Sequence, residues 1–252
     1  MVLGVREEEG KAKFPAPDVL ADLVSHHINR QGTKRPDVLV AMGSTKGYFD
    51  DIRYVSNYSS GALGSKIAEE TFRQGCQTHV VVGACPIRPK TFTSTHEITS
   101  NDDLESACKA ILQGSKAAVV FASSVLDFVP ETRLSGKVKS SEHDELSIRF
   151  VKTKKILANL DSPIQIKVGF KLESQLTDAS ARSLAETYCR SYQLSYMVLN
   201  QLSDVSSSGH KAFLAEYDDN ATLTLRKEEG KETIAANICR HIISRYERSP
   251  HS

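Results

Sequence analysis

With 252 residues, 40% of them hydrophobic and 25% charged, the chain carries enough apolar material for one elaborated α/β domain and is excluded from the disordered class. A net charge of +1, with no run of Lys or Arg longer than two, leaves no electrostatic footprint for duplex nucleic acid or an anionic membrane, so small ligands are expected. Five scattered cysteines without a C-x-x-C pair or a nearby histidine at zinc spacing point away from a disulfide framework and a metal centre, and fit a reducing, cytoplasmic setting.

The first ten residues are acidic where a signal peptide needs an apolar core, and no apolar run is long enough to span a bilayer. Residues 1–35 read as a charged leader and one helix, Asp18–Arg30, with Leu20, Leu23, Val24 and Ile28 at helical spacing and a stop at Gly32 and Pro36. Residues 36–252 read as a single domain. It opens with the continuous apolar run Asp37–Met42, which has the look of a buried parallel strand leaving the sheet at Gly43-Ser44-Thr45 for a ligand loop.

The stretch Arg53–Gly64 then runs into an amphipathic helix ending near Gly75. Ser59, Ser60, Gly61 and Gly64 are small residues at its mouth, where backbone N–H groups and the helix dipole favour an anion, so the run reads as a phosphate cradle or as a capped turn. A nicotinamide site is disfavoured. Gly43 is far from the Gly61 and Gly64 pair, and the second strand, Thr78–Val82, ends at Gly83-Ala84-Cys85 with no acid for a ribose 2′-hydroxyl. A short-chain reductase is disfavoured further because no Tyr is followed four residues later by Lys.

Ser100–Leu112 is a capped helix and Lys116–Ala122 the next buried strand. Strand-helix alternation implies a Rossmann-like, doubly wound, mostly parallel sheet. The rhythm breaks at about 128–151, where Glu145–Val151 alternates Leu146, Ile148 and Phe150 as on a half-buried strand. This reads as an inserted antiparallel flap whose edges a second subunit can cover. A short helix at Thr153–Leu160, a strand at Ile164–Phe170 and a helix at Thr177–Gln193 follow, with Leu184, Tyr188 and Tyr192 on one ridge of that helix. Tyr196–Asn200 is a further strand, Ala212–Tyr217 and Thr222–Arg226 a hairpin, and the helix from Thr233 aligns Ile234, Ile238, Ile242 and Tyr246.

Four stretches in order, Gly43–Thr45, Asp51–Gly64, Ser124–Pro130 with Lys137–Lys139, and Val168–Glu173 followed by Asn200, resemble phosphopantothenoylcysteine synthetase, also called phosphopantothenate-cysteine ligase, in a standalone form without the flavin-binding decarboxylase domain. The resemblance covers Pro36 to Glu247. It implies a ligase of coenzyme A synthesis that joins 4′-phosphopantothenate to L-cysteine through an acyl-nucleotidylate made from ATP or CTP, with Mg²⁺ carried by the triphosphate, in a homodimer.

The resemblance also implies roles. Asn57 matches the asparagine around the acyl-nucleotidylate, although Asn is also common in turns. Lys137 and Lys139 match the lysines of the basic flap, where a mobile ammonium follows phosphate charge, and an isolated K-x-K is equally a solvated pair. Asp127 matches the acid on the nucleotide ribose and Phe170 an aromatic beside the base, against the alternative of a core Phe. Gly43, Ser44, Thr45, Ser59, Ser60 and Gly61 would hold phosphates, and Asn200 stands at a strand end where ligands bind. Arg53 meets a substrate phosphate or pairs with Asp50 or Asp51. Ser44, where the family usually has glycine, and Ser140, where lysine is common, leave a non-catalytic relative as a competing reading; retention of Asn57, Lys137 and Asp127 argues against it.

Overall fold

The apolar run at 37–42 forms an interior strand of an eight-stranded sheet, where every one of its side chains after Asp37 is buried. The structure, a computed structural model, describes residues 6–8, 11–31, 34–90, 94–113, 118–141, 144–160, 166–205, 209–218 and 222–249. In chain order these form β1 (Arg6–Glu8), β2 (Lys11–Lys13), α1 (Pro17–Arg30), β3 (Asp37–Met42), β4 (Lys46–Tyr48), β5 (Tyr54–Ser56), α2 (Ala62–Arg73), β6 (Gln77–Val82) and β7 (Ser94–Glu97). There follow α3 (Asn101–Leu112), β8 (Ala118–Phe121), β9 (Phe128–Pro130), β10 (Phe150–Lys152), β11 (Lys167–Glu173), α4 (Asp178–Tyr192), β12 (Tyr196–Val205), β13 (His210–Tyr217), β14 (Leu223–Glu229) and α5 (Lys231–Arg248).

The large sheet has the order β14-β13-β12-β11-β8-β3-β6-β7, parallel from β7 to β12 and antiparallel over β13 and β14. The chain winds outward from β3 through β6 to β7, then crosses back to β8 and continues to β12. That reversal is the doubly wound arrangement, and it puts the topological switch point between the carboxyl ends of β3 and β8. Val38, Val40 and Met42 pack with Ile67 and Ala68 of α2 and Ile234, Ile238 and Ile242 of α5. Leu39 and Ala41 turn the other way, onto Leu104, Cys108 and Leu112 of α3. On that same side Ala181, Ala185 and Cys189 of α4 cover Met197 and Leu199. The leader helix α1 is fixed to α2 by the His26 ring stacked on Phe72, centroids 4.0 Å apart, and by buried Asp22, which accepts from Arg73 Nε at 2.7 Å. Among the described residues no helix is long and apolar enough to cross a membrane.

The Rossmann-like fold read from the sequence is the observed one, with local differences. The excursion after β3 holds a small hairpin, β4 against β5, and a wholly exposed polar strand, β7, extends the sheet edge. The flap is a separate two-stranded ribbon of three-residue strands, β9 and β10, and Leu146 and Phe150 are exposed where alternation predicts half-burial. A ribbon outside the main sheet has no second layer to bury its apolar face. Only a single 3-10 turn, Ile156–Asn159, forms within the expected helix at 153–160, and β12 continues past Asn200 to Val205. Gly32, the start of the strand expected from Lys116 and the start of the one expected from Ile164 lie outside the described residues.

Candidate active site

Beside the switch point, the ends of β8 and β11 diverge and leave a cleft of about 490 Å³, walled by the segment after β8, by 169–172, by α4 and by Lys154–Leu157. Three predicted site residues from separate parts of the chain, Asn57, Asp127 and Phe170, line it together. Asn57 is exposed, and its Nδ2 donates to the Val125 carbonyl at 3.1 Å, which orients the amide. Asp127 accepts from Lys155 Nζ at 2.6 Å. Both partners are about half exposed, so this ion pair is weak and open to exchange with a ligand. Ser123, not singled out from the sequence, also lines the cleft, and its hydroxyl oxygen is buried with no hydrogen-bond partner in the structure. An unpaired buried hydroxyl costs about 1–3 kcal/mol, which a bound oxygen or nitrogen would recover.

The glycine-serine mouth of α2 is built differently from a bare cradle. Gly61 has φ +75 and caps α2 with no side-chain hydrogen bond; a Cβ there would stand 2.2 Å from the Ile87 carbonyl oxygen and 2.8 Å from Cys85 Sγ. The Ile87 amide donates to the Ser60 carbonyl at 3.1 Å and Ser65 Oγ donates to the Ile87 carbonyl at 3.3 Å, so the loop after β6 lies across the helix mouth. Burial raises the Cys85 thiol pKa, and the thiol hydrogen-bonds carbonyls of its own loop. Gly43, at φ +77, faces Gly83: a Cβ on Gly43 would meet the Gly83 backbone at 2.8 Å, and one on Gly83 would meet the Ser44 carbonyl oxygen at 2.3 Å. The ends of β3 and β6 are thereby interlocked, with Ser44 and Ala84 exchanging amide-carbonyl bonds at 3.0 and 2.8 Å.

Ser44 and Thr45 are buried with their hydroxyls engaged. Ser44 Oγ donates to the Ala84 carbonyl and accepts from Ser56 Oγ, each at 3.0 Å. Thr45 Oγ1 donates to Asn101 Oδ1 at 2.6 Å and accepts the Leu126 amide at 3.1 Å, while Asn101 Nδ2 donates to the Leu126 carbonyl at 2.8 Å. Gly43, Ser44, Thr45, Ser59, Ser60 and Gly61 are absent from the lining of the cleft among the described residues. They shape the loops on which its walls stand.

Lys137 is exposed on a loop held at both neighbouring amides. The Gly136 amide donates to Asp51 Oδ2 at 2.7 Å and the Val138 amide to Asp50 Oδ2 at 3.2 Å. Asp50 is fully buried and also accepts the amides of Ile52 and Arg53 at 2.8 and 2.5 Å. Burial acts to raise its pKa, but the amides of Arg53, Ile52 and Val138 and the Arg53 guanidinium hold it below the usual carboxylate value. Arg53 thus pairs with Asp50, Nη1 to Oδ2 at 3.3 Å. Lys139 is exposed on the same loop. Asn200 is buried, its Oδ1 2.8 Å from His210 Nε2, and lies outside the cleft lining. Burial, with nearby Lys231, depresses the His210 pKa.

The family described as the DNA/pantothenate metabolism flavoprotein C-terminal domain matches residues 33–246. The chain belongs to this family. The resemblance read from the motifs is borne out at that level. The coenzyme A biosynthesis bifunctional protein CoaBC of Thermococcus kodakarensis is 29% identical over 216 residues, covering 84% of this chain and 53% of that protein. The chain spans about half to two thirds of the length of the first curated relatives it matches. Two solved structures share the fold. A DNA/pantothenate metabolism flavoprotein from Streptococcus pneumoniae has TM-score 0.73 at 22% identity, covering 83% of this chain and 99% of the other. A Cab2 mutant H337A in complex with phosphopantothenate-cysteine has TM-score 0.68 at 15% identity, covering 92% and 96%.

The cleft lining is mixed: Asn57, Ser123, Asp127, Lys155 and Lys171 supply polar and charged groups, and Phe170, Leu172, Leu194 and Met197 supply apolar surface. Such a lining suits a ligand with both an apolar ring and hydroxyl or phosphate groups.

Proposed function

We propose that the chain is a phosphopantothenate-cysteine ligase. The carboxylate of 4′-phosphopantothenate attacks the α-phosphorus of ATP or CTP, pyrophosphate departs, and the amine of L-cysteine then displaces the nucleoside monophosphate to form the amide. The observation that carries this reading is the meeting of Asn57, Asp127 and Phe170 in one cleft beside the switch point. Asn57, as a neutral amide, donates to the acyl oxygen as it gains negative charge; its loss removes a preset donor. Asp127 takes the vicinal ribose hydroxyls once Lys155 releases it, and Phe170 lies beside the base. Lys137 follows the phosphate charge during pyrophosphate release.

Among the described residues Asp127 is the one carboxylate on the cleft lining, which suits Mg²⁺ bound mainly through nucleotide phosphates and water, since that ion needs few protein ligands. Bound there, it would neutralise the triphosphate. The exposed Phe128, Leu134 and Phe150 of the flap region leave a face that a second copy of the chain would cover, making a homodimer. The test is to incubate the protein with 4′-phosphopantothenate, L-cysteine, Mg²⁺ and ATP or CTP, and to measure pyrophosphate and the coupled product. Stoichiometric formation of both is expected; no pyrophosphate with either nucleotide would overturn the reading.

A further inference from the structure

The loop after β6 does more than cover the mouth of α2, because it is held along its length. Ala84 exchanges amide-carbonyl bonds with Ser44, and Ile87 meets Ser60 and Ser65 through its amide and its carbonyl. Lys90 Nζ then reaches the leader helix α1, 3.0 Å from Asp18 Oδ2 and 3.1 Å from Asp22 Oδ2. The α1 end of this strap is itself fixed. His26 Nδ1 lies 2.7 Å from the Phe72 carbonyl oxygen and Asn29 Nδ2 donates to the Arg73 carbonyl at 2.8 Å, so α1 caps the last turn of α2. Burial acts against the Lys90 ammonium, but the hydrogen bonds to Asp18 and Asp22 outweigh it and raise its pKa, so the latch is charged at neutral pH.

The segment between β5 and α2, residues 57–61, is tied at one end by Asn57 Nδ2 on the Val125 carbonyl and at the other by the Ser60 carbonyl on the Ile87 amide. When the Asn57 amide turns to a substrate it gives up the first bond, and the second still holds the segment. We infer that Lys90 is a positioning residue for Asn57: by latching the strap to α1 it fixes Ile87, and through Ile87 the segment that presents the Asn57 amide to the cleft. The inference rests on the ligase reading and deepens it, since it makes the leader helix a working part of the site. Removing the ammonium leaves the fold in place, because Asp22, only 5% exposed, keeps Arg73 on its other oxygen.

Lys90→Met and Lys90→Arg in the full chain test this by deuterium exchange and by quenched flow with 4′-phosphopantothenate, L-cysteine, Mg²⁺ and ATP or CTP. The Met variant is expected to exchange faster at the Ile87 amide, to keep its pyrophosphate burst, and to form coupled product at least about 10-fold more slowly, the scale of a small misplacement of a reacting group. Its melting temperature should fall by no more than about 4 °C, since a partly exposed ion pair contributes little to stability. The Arg variant, which keeps the charge, should behave as the wild type. Unchanged exchange in the Met variant would overturn the strap whether or not the chain is a ligase. Product formed at the wild-type rate, or a burst lost in proportion to product, would overturn the link to Asn57 while leaving the ligase reading standing. Wild type releasing no pyrophosphate with either nucleotide would remove both.

Discussion

The carboxylate of Asp50 holds the amide of Val138 at 3.2 Å across 88 positions of chain. This bond and the Asp51–Gly136 bond bracket Lys137. Asp50→Asn keeps the shape but turns one oxygen into a donor facing amides, so the lysine loop should loosen. We expect faster tryptic cleavage after Lys137 and slower pyrophosphate release, with the ratio of product to pyrophosphate unchanged. The folded-state pKa of Asp50 lies below its reference of 3.8, so its stabilisation is complete above that value and fades as pH falls through the lowered one. Acid unfolding of the Asn variant should therefore be less steep than that of the wild type.

Asn57 and Lys137 are assigned to different half-reactions, and their variants should fail differently. Asn57→Asp should release one burst of pyrophosphate and form coupled product roughly 100-fold more slowly, the scale of losing one preset oxyanion donor. Lys137→Gln should abolish the burst itself. Quenched-flow measurement of pyrophosphate and product together separates the two, and equal steady turnover by both variants would remove the assignments.

Two glycines near the cleft should respond unequally to alanine. At Gly61 the positive φ and a Cβ at 2.2 Å from the Ile87 carbonyl oxygen both oppose substitution, so Gly61→Ala should cost about 3 kcal/mol or more. At Gly169 the nearest obstacle is the end of the Leu194 side chain, 2.5 Å away, which can change rotamer, so Gly169→Ala should cost about 1 kcal/mol. Urea unfolding of both variants checks the ordering.

Ser195, His241 and Glu216 have the connectivity of a hydrolase triad: His241 Nε2 lies 2.9 Å from Ser195 Oγ and Nδ1 2.9 Å from Glu216 Oε1. Ser195 and His241 are buried against the sheet, and Ser195 lies outside the cleft. Ser195→Ala should leave ligase turnover intact and lose about 1 kcal/mol of stability, and a fluorophosphonate should not label the wild type. The hydrogen bond from His241, helped by Arg226 and opposed by burial, lowers the Glu216 pKa; its contribution is therefore present above the reference of 4.5 and lost as pH falls. Glu216→Gln should narrow the difference in melting temperature between pH 7 and pH 4.

The strongest sequence signals were those with a local cause. Asp37–Met42 is an apolar run in the sequence and a central strand in the structure with the same bounds, and Ser100 and Thr177 cap α3 and α4 through reciprocal side-chain bonds. β7 was illegible because Ser94–Glu97 has no apolar face to alternate, and β4 and β5 because three residues are too few for a period. In the site, Asn57, Asp127 and Phe170 were found through motif order. Ser123 escaped because only its burial without a partner distinguishes it, and Lys155 because its pairing with Asp127 depends on how the flap returns to the sheet. The internal bonding of Ser44 and Thr45 likewise has no signature in spacing, since it involves Asn101 and Leu126 far along the chain.

The closed ring of Thr45, Asn101 and Leu126 joins the end of β3, the first turn of α3 and the residue before Asp127 into one rigid abutment. Any swing of that side would break three bonds at once. A change at Asn101, outside the cleft lining, would therefore reach the Asp127 carboxylate through the backbone of its neighbour Leu126.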